Sequence, residues 1–263
     1  MPASLKRIFI FVFVFFTLYA DAQEGVRNTA AAKKPLTGKI MLVPFEPKLY
    51  MSEIDQKINM ETKWGFEQMR EYFRHQLDNQ LKQKLQAIES PVVTFYTDSA
   101  KTSKDLDYIY KSTRLTFDLI DKPTAPASAP AKKQEGIKNG QVAVEIVSDR
   151  KFTNTRLSNN ELFPFLVKKY QSQYFVFINE LDIRTLPESY DLASDTYQRE
   201  VTVHYTIMDQ TSKLVAAGAA TSRFSSKIND PKKIVSQAFS PIATYIAGKL
   251  SVVMKPKAVT PNK

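Results

Sequence analysis

The sequence predicts an α/β (α+β) domain: a mixed β-sheet of about five to six strands with helices on both faces, closing on a C-terminal β-hairpin and a long helix. Three observations predict it. Lys39–Val43 and Tyr174–Ile178 are short runs apolar on every residue or nearly so, the form of strands covered on both sides. Phe66, Met69, Phe73, Leu77, Leu81, Leu85 and Ile88 follow one another at steps of three or four and so share one face of a long helix. Tyr197–Met208 and Lys213–Phe224 flank the turn Asp209-Gln210-Thr211-Ser212, and Val201, Val203, Tyr205 and Ile207 alternate with Thr202, His204 and Thr206 as a half-solvated strand does.

Taken in order, residues 1–22 read as a signal peptide: Lys6 and Arg7, an apolar run from Ile8 to Tyr19, then Ala20-Asp21-Ala22, with cleavage near Ala22. Residues 23–37 read as a disordered leader, 38–253 as a single domain and 254–263 as a disordered basic tail. Within the domain, Pro44 stops the first strand, and Ser52 with Asp55 caps a short helical turn. The long helix follows, with Trp64 packing at its entrance. Its other face carries Glu67, Arg70, Glu71, Arg74, Asp78 and Lys82 and is expected to meet water. Pro91–Tyr96 reads as a second strand, and Leu106, Ile109, Tyr110, Leu115 and Leu119 as a helix over 104–120. The Ala/Pro/Lys-rich excursion at 122–140 reads as mobile and Val142–Val147 as a third strand. A helix capped by Asn159 and Asn160 runs to Tyr170. The central strand then emerges to water on one side where Glu180, Asp182 and Arg184 alternate with Leu181 and Ile183. Leu214–Ala220 is rich in small residues, allowing a close approach. Asp230 and Pro231 start the last helix, and Pro241 is expected to kink it.

Composition narrows the function. With no cysteine there is no disulfide framework and no thiolate for metal binding or nucleophilic catalysis. The formal charge of +10 favours anionic neighbours, but the lysines are scattered rather than gathered on one element, so no nucleic-acid partner is expected. G-x-S-x-G, H-E-x-x-H, S-x-x-K and glycine-rich phosphate loops do not occur in the sequence. The two histidines, His75 and His204, sit on polar faces and read as surface residues. Asp105 with Asp107, and Asp191 with Asp195, read as solvated turn acids rather than cation sites. No catalytic, cofactor or metal residue is expected. A carboxylate pair of the glycoside-hydrolase kind leaves no trace in a sequence and stays open.

Val43-Pro44-Phe45, the long amphipathic helix, Phe175-Val176-Phe177-Ile178-Asn179-Glu180-Leu181, Tyr205-Thr206-Ile207-Met208-Asp209-Gln210-Thr211 and the final helix resemble, in that order, the periplasmic α/β domains of the TolB amino-terminal, CsgG and LpoB (penicillin-binding-protein activator) group. The hairpin turn departs from that group's glycine-containing pattern, and there is no lipid-acceptor cysteine. The resemblance implies a mixed sheet with helices on both faces and protein–protein contacts at the cell envelope. It transfers no catalytic residue.

The expected function is therefore that of a non-enzymatic, exported envelope protein, periplasmic in a bacterium, acting on another envelope protein in assembly or activation. No cofactor and no transmembrane helix in the mature chain are expected. Two alternatives are an exported hydrolase with a carboxylate site and an anionic lipid- or glycan-binding module. Lys132, Lys133, Lys138, Lys255 and Lys257 are the candidate partner-binding residues.

Overall fold

The computed structural model describes residues 38–88, 91–96, 99–119 and 151–254, all within the compact unit Pro35–Lys263. The leader segments, the 122–140 excursion, the Val142–Val147 strand and the tail from residue 255 lie outside the described residues.

The fold is the mixed α/β architecture. Strands β1 (Lys39–Val43), β2 (Tyr50–Ser52), β3 (Val92–Val93), β6 (Ser172–Asp191), β7 (Thr196–Asp209) and β8 (Leu214–Ser225) form one six-stranded sheet. Its order is β3-β1-β6-β7-β8, with β2 continuing past β1 along the same edge of β6. The β3, β1 and β2 pairings are parallel, and β6-β7-β8 is an antiparallel meander. β6 is central because its first half is apolar on both faces and helices cover both. On one face α1 (Asp55–Thr62), α2 (Phe66–Gln86) and the C-terminal helix bury Phe73, Leu77, Val176, Ile178, Tyr205 and Phe239. On the other, α3 (Ser99–Lys111) and α4 (Leu162–Tyr170) bury Met41, Phe163, Phe175 and Phe177.

Several local expectations hold for the reasons given. Trp64 packs edge-on against Tyr72, 5.0 Å between ring centroids. Asp230 caps the last helix by accepting the amide of Lys232, with Pro231 at its first position. Pro241, which has no amide hydrogen to donate back, follows a π-helical turn, Val235–Phe239, that joins α5 (Pro231–Ile234) to α6 (Ser240–Met254). The small residues of β8 admit Tyr205, whose ring lies over Gly218.

Others are corrected. Residues 113–119 are not helical: α3 ends at Lys111, and Thr113–Leu119 is strand β4, antiparallel to β5 (Lys151–Leu157) in a separate two-stranded ribbon. Leu115 and Leu119 imitate a helical step, but Leu115, Phe117 and Leu119 alternate with Arg114, Thr116 and Asp118, which is the period of a strand. The expected Pro91–Tyr96 strand is reduced to β3. Phe66 is 57% exposed rather than part of the buried stripe. Arg74 and Asp78 are buried rather than solvated. The Arg74 Nε donates to the Phe45 carbonyl at 2.7 Å, and a terminal nitrogen donates to the Tyr110 hydroxyl at 2.9 Å. Burial pushes the Asp78 carboxyl up to about 7, against the lowering influence of Arg74 and Lys82.

β6 and β7 also run further than the sequence indicates. The β7–β8 ladder ends at Gln198 and the β2–β6 ladder at Ile183, so beyond Leu186 the two strands run on as an arm, braced on the β7 side by Ser226, which bonds the Tyr197 amide and carbonyl, and by Lys227. Pro187 lies where the arm departs. There the Ser189 hydroxyl donates to the Leu186 carbonyl at 2.5 Å and accepts the Gln198 amide at 2.7 Å, bridging a stretch where ladder pairing is interrupted.

Candidate functional site

Among the described residues, the acids and histidine that converge are Glu180 and Asp182 on β6 and His204 on β7, whose ligand-type atoms all lie within 4.8 Å of one another. A β-bulge brings them together. Ile178 opposes Tyr205 and Glu180 opposes His204, so Asn179 is an extra residue on β6. Before the bulge, Val176 and Ile178 face the α2 side; after it, Leu181 and Ile183 do. Asn179 and Glu180, though consecutive, therefore both turn to the opposite face, where the β4–β5 ribbon lies across the sheet.

The ribbon is fastened to this patch by hydrogen bonds. The Thr153 amide donates to His204 Nδ1 at 2.8 Å, and the Thr153 hydroxyl to Glu180 Oε2 at 2.5 Å. Asn179 Nδ2 donates to the Thr153 carbonyl at 2.6 Å and to Thr206 Oγ1 at 2.8 Å, and its Oδ1 accepts the Thr155 hydroxyl at 2.6 Å. The Thr155 amide donates to Thr206 Oγ1 at 3.0 Å, and that hydroxyl donates to Asn154 Oδ1 at 2.7 Å. Burial pushes the Glu180 carboxyl above its ordinary value. The Thr153 hydroxyl pulls it down and the Asp182 charge raises it again. Asp182 Oδ1 is buried without a hydrogen-bond partner.

The protonation state that this geometry demands bears on metal binding. His204 Nδ1 accepts a backbone N–H, so the neutral ring carries its proton on Nε2, which points at Asp182 Oδ2 3.6 Å away. A metal-bound histidine does the reverse, donating its second N–H to an acceptor and giving a lone pair to the ion. The donor set is that of a polar latch between two layers and does not fit a metal centre.

A cavity of about 300 Å³ adjoins the latch, beyond the carboxyl end of β1 and beside residues 177–179 of β6. Val43, Phe177 and Ile178 line its apolar side and Glu46, Lys48 and Arg114 its charged side; Glu46 and Lys48 pair at 2.7 Å. Elsewhere Glu200, also buried, lies between Arg184 at 2.6 Å and Arg223 at 3.1 Å. Burial alone would push its carboxyl up, but the two arginines hold it below its ordinary value.

The candidate residues named from sequence are dispersed. Lys132, Lys133, Lys138, Lys255 and Lys257 lie outside the described residues. Asp105 accepts hydrogen bonds from Lys169 at 2.6 Å and from the Tyr170 hydroxyl, and Asp107 pairs with Lys111 at 2.6 Å. Asp191 and Asp195 order the tip of the arm. His75 is half-buried beside Tyr96, 4.8 Å between ring centroids. His204 corrects its expectation: it is 7% exposed, because the ribbon covers a face that alternation alone reads as wet. One signal in the sequence does point to the bulge. Val176 and Ile178 occupy even positions and Leu181 and Ile183 odd ones, and all four share a core only if one residue is inserted between the pairs.

No family model matches the chain, and no curated protein matches it. Among solved structures, the lipoprotein GNA1162 from Neisseria meningitidis aligns with a TM-score of 0.33 and 10% sequence identity, over 82% of this chain and 97% of that one. A likeness at that score carries no weight for fold or function. No family model supports the resemblance to the TolB amino-terminal, CsgG and LpoB group. Among the described residues no helix is long and apolar enough to cross a membrane.

Proposed function

We propose that this is an exported protein of the cell envelope that works by holding another envelope protein, in an accessory role in assembly or activation, and performs no chemistry of its own. The observation that supports this reading is the tip of the β6–β7 arm. Leu192 is 85% exposed there and Tyr190 50%. Short polar contacts hold the turn beneath Leu192. Asp191 accepts the Ala193 amide at 3.0 Å and the Ser194 hydroxyl at 2.6 Å, Tyr190 donates to Asp195 at 2.7 Å, and Lys227 reaches the Ser194 carbonyl at 3.0 Å. An apolar side chain presented on an ordered turn loses little entropy on docking, which is the economy of a preorganised contact. The leader pattern Lys6, Arg7, Ile8–Tyr19 and Ala20-Asp21-Ala22 supports export.

The test places a photo-crosslinking residue at Leu192 in cells that make the protein. One discrete adduct is expected, and none from the same residue at Met60, which is also exposed. Equal adducts at both positions, or none at Leu192, overturn the reading. The Glu180–Asp182–His204 cluster is what favours the alternative of a hydrolase. An activity on glycan or peptide abolished by Glu180→Gln, with the fold retained, would establish that alternative.

A further inference from the structure

The outer edge of β4 and the side chains along it form a second surface, distinct from the arm. β4 pairs with β5 on one side, and among the described residues no strand pairs with the row of backbone N–H and C=O groups on the other. Edge strands usually carry proline, lysine or other charges to discourage pairing; Thr113–Leu119 has no proline or lysine, and its two charges, Arg114 and Asp118, are of opposite sign. One face of the strand carries Leu115, Phe117 and Leu119, 36%, 75% and 60% exposed. The other face carries Arg114, Thr116 and Asp118.

The charges on that second face are unbalanced within one chain. Arg114 lies directly opposite Arg156 in the ribbon, a like-charge pairing. Asp118 serves Arg156, accepting its guanidinium at 2.7 Å and the Asn154 amide at 2.6 Å, both on Oδ2. No hydrogen bond or ion pair engages the Arg114 side chain among the described residues.

We propose that the occupant of this edge is a second copy of the chain, docked antiparallel along β4 about a two-fold axis through Thr116. In that register Arg114 of each copy faces Asp118 of the other, Leu115 faces Phe117, and Thr113 faces Leu119, each pair on a common face of the strand. Shifting the centre to Leu115 or to Phe117 sets no opposite charges against each other. The strand is thus self-complementary in one register, as an isologous contact requires. Seven residues on each side form a small contact, below the roughly 1,200–2,000 Å² of a standard stable interface. The dimer is therefore a weak one, populated at high local concentration.

This inference rests on the reading of the protein as a binder of proteins but uses a different surface, so the two fail separately. A discrete Leu192 adduct with a monomeric chain overturns the dimer alone; a dimer without that adduct overturns the tip alone.

Sedimentation velocity of the purified full chain across a concentration series is expected to show a reversible monomer–dimer equilibrium. Arg114→Asp and Asp118→Arg chains, each alone, set like charges across both contacts and should associate at least about tenfold more weakly, a difference of about 1.4 kcal/mol. Mixed together they restore both opposite-charge pairs, and association should return. The chain has no cysteine, so Thr116→Cys supplies a clean second reading. Opposed residues of antiparallel strands lie about 4.5–5.5 Å apart, within disulfide reach, and mild oxidation should link two copies, whereas Met60→Cys should not. A monomer at every concentration, as expected if another protein or another part of this chain fills the edge, overturns the proposal. So does a mixture that fails to recover while both variants melt like the natural protein.

Discussion

The two faces of the β6–β7–β8 meander are held in different ways. The α2 side is packed with aliphatic and aromatic side chains from α1, α2 and the C-terminal helix. The opposite face packs on α3 and α4 through Phe175, Phe177 and Met208 at one end, but where the ribbon crosses it the joint is made by threonine, asparagine, glutamate and histidine. Apolar packing is non-directional and tolerates small shifts; a buried polar interface is correct in one alignment and costly in any other. The first face supplies the bulk of the stability, and the second fixes where the ribbon, and with it the β4 edge, sits.

The largest expected effect is on the apolar face. Phe73 is fully buried against Tyr50, Tyr72 and Phe239. Phe73→Ala should cost about 3–5 kcal/mol in denaturant unfolding and move all probes together. A smaller, local effect is expected on the polar face. Asn179→Ala removes three side-chain bonds and leaves the Thr153 carbonyl and the Thr155 hydroxyl without those partners. A cost of about 2–3 kcal/mol is expected, with amide exchange accelerating at residues 152–155 before it does in α2. Exchange that rises uniformly would show that the two faces form one cooperative unit.

The smallest effect depends on pH. The Asp78 carboxyl is raised to about 7 in the fold, so between pH 4 and 7 the folded state holds more protons than the unfolded one. Its contribution to stability is therefore present at low pH and is lost as pH rises through about 7. Asp78→Asn should flatten that fall and raise stability at pH 8 by about 1–3 kcal/mol, read from unfolding curves at pH 5 and pH 8. Glu200, held low by its two arginines, contributes in the opposite sense and loses its contribution as pH falls. An unchanged pH slope in the Asp78→Asn protein would show that Arg74 keeps this carboxylate charged.

Much of the architecture was legible in the sequence because the apolar spacing is regular. The stripe from Met69 to Leu85, the runs at β1 and β6, the hairpin turn and the Asp230-Pro231 cap each follow from local chemistry. The candidate site was not legible, because it depends on contacts between distant segments. Nothing near His204 or Asn179 announces that Thr153 and Thr155 will cover them, and β5 was not foreseen at all. Threonine and asparagine read as solvated whether they meet water or one another. Arg74 reads as solvated for the same reason, since Phe45, Tyr110 and the ring of Tyr96, which it meets, come from three other segments, and Asp78 is buried with it.

β6 is continuous over 20 residues, about 66 Å of extended chain. One end is gripped by β1 between two helical layers, the middle carries the bulge beneath the ribbon, and the far end leads to Leu192. Tension applied at that tip along the strand axis pulls β6 and β7 together, so it would load the flanking β1–β6 and β7–β8 ladders in shear, with their hydrogen bonds bearing the force together rather than opening one at a time. A cargo held there would be mechanically anchored in the centre of the sheet.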